Sequence, residues 1–274
     1  MKIGSRTFDF TKPVIMGIVN MTPDSFSDGG LYNSPPRAQK HIEQFIEDGV
    51  DIIDVGGEST RPGSKTVNSA EELRRVIPVI ECVRQLSDVP ISIDTRKAHV
   101  AREAIKAGAN MINDVSAGCD DPAMFEIAVS TNVPICLMHM KGNPETMQRA
   151  PLDQDDVLAV IYKFLKGRIR AAQEAGIPSD NIIVDPGIGF GKTAEDNVTI
   201  LRNIERLHEL DKPILLGTSR KSFIGKTLNF SLEKRLEATL ATLSQTYRKG
   251  VRIFRVHDVG AARRYFATMD LLGW

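Results

Sequence analysis

Eight short apolar runs recur along this chain, and each is followed by a stretch with the spacing of an amphipathic helix. The runs are "PVIMGIVN", "VDIIDVGG", "PISIDT", "MINDVS", "PICLMHM", "NIIVDPG", "PILLGTSRKS" and "VRIFRVHDV". The helical stretches include "PRAQKHIEQFIEDG", "SAEELRRVIPVIECVRQL", "KAHVAREAIKAG", "DPAMFEIAVST" and "DQDDVLAVIYKFLKGRIRAAQEAG". A sixth runs from about Asn197 to Glu209, and "SLEKRLEATLATLSQTYRKG" and "GAARRYFATMDLLG" follow the last two runs. Strands alternating with helices predict a parallel sheet. Eight such units in about 250 residues is the count of a single (β/α)8 TIM barrel. An open, doubly wound sheet is the alternative, since closure is not written in a sequence. No linker, low-complexity stretch or charge run divides the chain, so residues 1–274 read as one domain.

Formal net charge is zero, so no global field draws the chain to nucleic acid or to an acidic membrane. No apolar run approaches the length of a membrane span, and "MKIGSRTFDF" lacks the apolar centre of a signal peptide. The three cysteines, Cys82, Cys119 and Cys136, have no paired metal spacing. A reducing, cytoplasmic setting is the expectation.

In a barrel every strand's C-terminal end faces one rim, and that rim holds the active site. The rim expected here carries Asn20, Asp54, Asp94, Asn113, Asp114, His139 and Asp185. Arg220, Lys221 and Ser222 follow the seventh run, and Arg255, His257 and Asp258 end the eighth. One Asp after a strand is ordinarily a helix cap, but capping does not explain so many polar groups converging on one end. "DPGIGFGKT" imitates a phosphate loop. Pro186 stands where the P-loop needs Gly, and Lys192 stands where the dinucleotide fingerprint needs one, so neither ATP nor NAD is expected. The segment Thr22–Gly30, "TPDSFSDGG", reads either as a surface turn or as a mobile loop that carries chemistry.

The ordered set "GIVNMTPDSFSDGG", "DVGGESTRPG", "SIDTRK", "INDVSAG", "MHMKGNPETMQ", "DPGIGFGK", "GTSRKSFIG" and "RVHDV" resembles the dihydropteroate synthase family. The motifs run from Gly17 to Val259. The resemblance implies condensation of 6-hydroxymethyl-7,8-dihydropterin diphosphate with p-aminobenzoate, with Mg²⁺ as cofactor and pyrophosphate released. It also implies Thr60, Asp94, Asn113, Met138, Asp185, Lys221, Arg255 and His257 as the pterin diphosphate site. Asp185 is matched to the two N–H donors on the pterin edge, a geometry that suits a carboxylate. Asn113 offers a donor and an acceptor to a mixed heterocycle edge. Arg255 and His257 alternate on the eighth strand and so point to the same side. Asn20 is the expected metal ligand.

For p-aminobenzoate the expected residues are Phe26, Arg61, Pro62, Phe190 and Ser222, the first three on two loops that would close as a lid. Asp28, Lys221, Arg255 and His257 are the expected catalytic residues. Sulfonamides, which resemble p-aminobenzoate, are possible inhibitors, and a homodimer is expected. Three departures from the family pattern, Met21, Ala117 and Arg252, touch none of these roles. A pterin-binding methyltransferase domain, a Schiff-base aldolase using Lys221 and a non-catalytic pterin or phosphate sensor are the competing readings.

Overall fold

Strands buried on both faces read as continuous apolar runs, and the runs in this chain form such strands. The computed structural model describes residues 1–22, 35–60, 63–142, 147 and 156–273. A hairpin of β1 (Lys2–Ile3) and β2 (Arg6–Thr7) comes first, then β3 (Val14–Asn20) and α1 (Pro35–Glu47). β4 (Ile52–Gly56), α2 (Ser69–Leu86), β5 (Ile91–Asp94), α3 (Ala98–Ala107), β6 (Met111–Asp114) and α4 (Met124–Thr131) follow. Next come β7 (Ile135–Met138), α5 (Val157–Glu174), β8 (Ile182–Asp185), α6 (Ala194–Arg202) and β9 (Leu215–Leu216). α7 (Ser222–Leu228), α8 (Leu236–Tyr247), β10 (Ile253–Val256) and α9 (Val259–Leu271) complete the chain.

β3 to β10 form one parallel sheet in the order β8-β7-β6-β5-β4-β3-β10-β9. A parallel bridge between Val184 and Ile214 brings β8 to the start of β9 and closes the ring. The fold is the expected eight-stranded barrel.

Register sorts the side chains by layer. Met16, Ile52, Met111, Cys136, Ile183, Leu215 and Ile253 point inward and pack into one apolar floor, sealed from below by Ile3, Phe8 and Phe10. The intervening residues, among them Ile15, Ile53, Ile93, Ile112, Leu137, Val184 and Phe254, point outward beneath the helices. Strand side chains alternate with period two, so the next inward position lies two residues along each strand. There the barrel turns polar, with Asp54, Asp94, Asn113, Asp185 and Arg255. The same alternation that builds the floor therefore aims the site.

Three local expectations are corrected. The helix placed at about 197–209 begins at Ala194, where Thr193 and Asp196 form a capping box, and it gives way after Arg202 to a 3-10 stretch at Ile204–Leu210. The helix expected from Ser231 begins at Leu236, and α7 precedes it, ended by Asn229 in the left-handed region. The seventh strand keeps only Leu215–Leu216 as regular pairing, because the chain turns at once, with Lys221 N–H donating to Thr218 C=O. Among the described residues no helix is long and apolar enough to cross a membrane.

β3 is pressed against two helices at Gly17. A Cβ there would lie 2.6 Å from a Phe45 ring carbon and 2.9 Å from Val259. Gly17→Ala is expected to push α1 and α9 off the barrel and to cost about 1–3 kcal/mol, the usual range for overpacking. Urea unfolding measures it, and an unchanged midpoint would show that this packing yields.

Candidate active site

The mouth of the barrel is organised by a buried cation. Arg255 Nε donates to Asp54 Oδ2 at 2.6 Å, and its Nη2 donates to Asp94 Oδ2 at 2.7 Å. Asp54 is fully buried and Asp94 nearly so. Asn113 Nδ2 lies 3.5 Å from both Asp54 oxygens, which orients its amide toward the same centre. Burial works against the Arg255 charge, but Asp54 and Asp94 outweigh it and hold the guanidinium proton more tightly than usual. Burial raises the proton affinity of Asp94, and Arg255 opposes the rise. Below them the Cys136 thiol keeps its proton, because burial and the surrounding carboxylates disfavour a thiolate.

Asp185 stands at the end of β8, register partner of Met138 on β7. Its Oδ1 accepts from Gly187 N at 2.6 Å. Burial pushes its carboxyl up to about 6, against the Gly187 hydrogen bond and the charges of Lys221, Lys192 and Arg255. The loop that follows crosses the end of β7 very closely. A Cβ at Gly187, whose φ is +69°, would lie 2.0 Å from the His139 carbonyl oxygen, so only glycine fits. The loop ends with Phe190, whose ring lies 4.3 Å from Lys221 Nζ.

β10 pairs with β3, so Asn20 and His257 sit at the ends of neighbouring strands. A Cβ at Gly56 would lie 3.1 Å from Asn20 Oδ1 and 3.5 Å from Asp94 Cβ, so this bare position leaves Asn20 and Asp94 facing each other across β4. His257 Nδ1 lies 3.0 Å from Ser219 Oγ. Asp258, which adjoins His257 in sequence, is taken instead by Arg220 in a two-point ion pair. Thr60 is half-buried on the loop after β4. Glu58 closes the neck of that loop: its carboxylate accepts from Val67 N at 2.9 Å and from Lys97 Nζ at 2.7 Å, and it also pairs with Arg96.

The structure thus gathers Asp94, Asn113, Met138, Asp185 and Arg255 on the inward face of one barrel end. Lys221, Phe190, His257, Asn20 and Thr60 stand around it, and Ser222 opens α7 as an exposed residue. Phe26, Asp28, Arg61 and Pro62 lie outside the described residues. Two rim expectations are corrected. Asp114 points out of the barrel and accepts from Ser116 N, Ser116 Oγ and Gly118 N, which makes it a loop brace. His139 packs its ring edge-on against Phe164 of α5, and burial, then Lys192, lower its proton affinity to about 3, so it is a neutral core side chain.

Ser219, Glu58 and Lys192 took no site role on sequence grounds, and Asp54, expected only as a rim residue, is the partner of Arg255. Asp54 had a readable signal, since it lies two residues after inward Ile52.

The family described as pterin binding enzyme matches residues 16–257. The dihydropteroate synthase of Clostridium beijerinckii is 50% identical over 274 residues, 99% of each chain. This chain belongs to the dihydropteroate synthase family. Among solved structures, a Yersinia pestis dihydropteroate synthase in complex with a sulfonamide drug superposes with a TM-score of 0.95, at 40% identity, covering 100% of this chain and 98% of that one. A Xanthomonas albilineans dihydropteroate synthase in complex with 7,8-dihydropteroate gives a TM-score of 0.87 at 40% identity, covering 98% and 97%.

In this barrel the ionised form of the buried Asp185 carboxyl opposes folding. The Asp185 carboxyl ordinarily titrates at 3.8 and is raised to about 6, so its ionised form costs on the order of 3 kcal/mol above pH 6. The sign follows from a folded value above the unfolded one: the cost is full above pH 6 and fades as pH falls toward 4. Asp185→Asn is expected to raise the stability of the ligand-free protein by about 1–3 kcal/mol at pH 7.5 and by little at pH 4.5. Thermal unfolding at the two pH values measures this, and an equal effect at both would contradict it.

Proposed function

We propose that the chain condenses 6-hydroxymethyl-7,8-dihydropterin diphosphate with p-aminobenzoate to give 7,8-dihydropteroate and pyrophosphate, a transferase step of folate biosynthesis. The carrying observation is the buried, proton-hungry carboxylate of Asp185 beside Asp94, Asn113 and Arg255, in a chain half identical to a dihydropteroate synthase. We read the chain as one domain over residues 1–274, working in the cytoplasm. Its three cysteines are free thiols, which fits a reducing compartment.

Asp185 accepts from the lactam N–H and the amino group of the pterin, replacing lost water with two charged hydrogen bonds. Asp94 and Asn113 meet the remaining ring nitrogens, Lys221 donates to the carbonyl and ring nitrogen, and Met138 lies against the apolar face. Arg255 stacks on the ring and reaches the diphosphate with His257, Thr60 and Asn20. Asn20 contributes a neutral oxygen, and among the described residues no three His, Cys, Asp or Glu side chains gather into a metal-holding group. That donor set fits a Mg²⁺ that takes its other ligands from diphosphate and water. When bound, such an ion withdraws charge from the leaving group.

The bond between the pterin methylene carbon and the diphosphate oxygen breaks first, and its electron pair leaves on pyrophosphate. The cation is delocalised into the dihydropterin ring. The amine lone pair of p-aminobenzoate then forms the new C–N bond, and the nitrogen loses a proton to solvent. A cation must be kept from water. We assign that task to the two loops, with Asp28 adding negative charge near the cationic centre and Phe26, Arg61 and Pro62 closing on the arylamine. Phe190 faces its ring, and Ser222 takes its carboxylate. Sulfonamides, which resemble p-aminobenzoate, are read as entering the same place, and the Yersinia pestis neighbour was solved in complex with a sulfonamide drug. Leu228 and Phe230 are exposed apolar side chains just after the site, and we read this outer face as the contact of a homodimer.

An assay of pyrophosphate release separates this reading from its competitors. Release should require both the pterin diphosphate and p-aminobenzoate, whereas a methyltransferase domain, an aldolase or a sensor would release none. Asp185→Asn should weaken pterin diphosphate binding by about 2–4 kcal/mol, since a charged acceptor is lost and a donor is left unpaired. Calorimetry showing unchanged affinity would remove Asp185 from the pterin site.

A further inference from the structure

We propose that Lys192 is a positioning residue of the pterin pocket: buried beneath the glycine loop, its ammonium ties that loop to the end of β7 and sets the Asp185 carboxylate and the Phe190 ring. This rests on the pterin-binding reading above.

The ammonium has three N–H donors, and the structure uses all of them on backbone carbonyls. Lys192 Nζ donates to Gly187 O at 2.8 Å, to Phe190 O at 3.0 Å and to His139 O at 3.2 Å. The residue is 3% exposed. Each acceptor belongs to a part of the site. Gly187 is the residue whose N–H holds Asp185 Oδ1, Phe190 carries the ring beside Lys221, and His139 N–H donates to the Asp185 carbonyl. Gly187 approaches the His139 carbonyl too closely for any side chain, so the loop has no slack at the point where the ammonium clamps it. This also explains the imitation phosphate loop in the sequence. The lysine that would reach for a nucleotide phosphate in a P-loop is turned inward, under its own loop.

The clamp also carries charge. Lys192 is one of three cations that favour ionised Asp185, with Lys221 and Arg255, while the Cys136 thiol beneath stays neutral. Around Lys192 itself, Asp185 and Asp196 favour its charge, Lys221 opposes it, and the His139 ring on the end of β7 is neutral. Burial lowers the ammonium to about 7, so this charge is held at the edge of what the site can keep. Removing it leaves Asp185 with two cations and raises its hold on a proton.

The test is binding of 6-hydroxymethylpterin by calorimetry from pH 5 to pH 8, on wild type, Lys192→Met, Lys192→Gln and Asp185→Asn. Met keeps the length of the stem without charge. Gln keeps two N–H donors for the carbonyls without charge, so it preserves the loop if Met fails to fold. Wild type should lose affinity as pH falls through about 6. Both Lys192 variants should show this acid limb moved up by about one pH unit, and so bind about fivefold more weakly than wild type near pH 6 and about tenfold more weakly at pH 5. The difference should narrow by pH 8, because Asp185 is then ionised in all of them. A loss of affinity equal at every pH would make Lys192 merely structural, and an unmoved limb with unchanged affinity would remove it from the pocket. Either result overturns the inference and leaves the pterin reading standing. Wild type that fails to bind the pterin, or Asp185→Asn that binds it as well as wild type, overturns the pterin reading itself.

Discussion

Arg255 is the cation on which the mouth of this barrel depends. It lies inside the ring, touches Asp54 on β4 and Asp94 on β5, and belongs to β10. An unpaired buried charge costs several kcal/mol, so three strands are held in one arrangement by the need to keep these groups paired. The apolar floor below supplies the stability that tolerates them. Met16, Ile52, Met111, Ile183, Leu215 and Ile253 are fully buried there, one layer beneath the charges.

The arrangement is complete without ligand only in part. Asp94 and Asp185 both hold protons more tightly than free carboxylates, burial being the first cause in each. A flat heterocycle with N–H groups on its edge supplies what burial has removed. On the proposed reading the site gives up fold stability for a surface that receives a pterin, the usual trade at a preorganised site. Bridging Asp54 and Asp94 also fixes the guanidinium of Arg255 at the barrel mouth, where the proposed function places a stacked ring and a diphosphate.

Most of this was legible in the sequence, for a physical reason. Eight repeats of a buried strand and an amphipathic helix allow few architectures, and parallel strands ending in polar residues mark one rim. Asp94, Asn113, Asp185 and Arg255 were readable because each sits at or near a strand end. What failed was direction. Asp114 and His139 end their strands too, but period two turns them outward, one to brace a loop and the other to pack on Phe164. Asp54 was legible as a rim residue, but its pairing with Arg255, 201 positions away, is not written in a linear reading. Lys192 followed a loop that imitates a nucleotide motif, and nothing in a linear reading says that a lysine folds back beneath its own backbone. α7 and the hairpin β1–β2 are too short for periodicity to find. The expectations for Phe26, Asp28, Arg61 and Pro62 rest on the family resemblance and fall outside the described residues.

The central claim is that a buried carboxylate with a raised proton affinity waits at the end of β8 for the donors of a pterin. Carbon-detected NMR titration of the aspartate carboxyl groups tests it most directly, with Asp185 assigned by comparison with Asp185→Asn. The account predicts that Asp185 titrates near 6 in the ligand-free protein, and that 6-hydroxymethylpterin holds it ionised to lower pH, because two N–H donors favour the charged form. A carboxyl that titrates near its ordinary 3.8 in the free protein and does not move when the pterin is added would contradict the account.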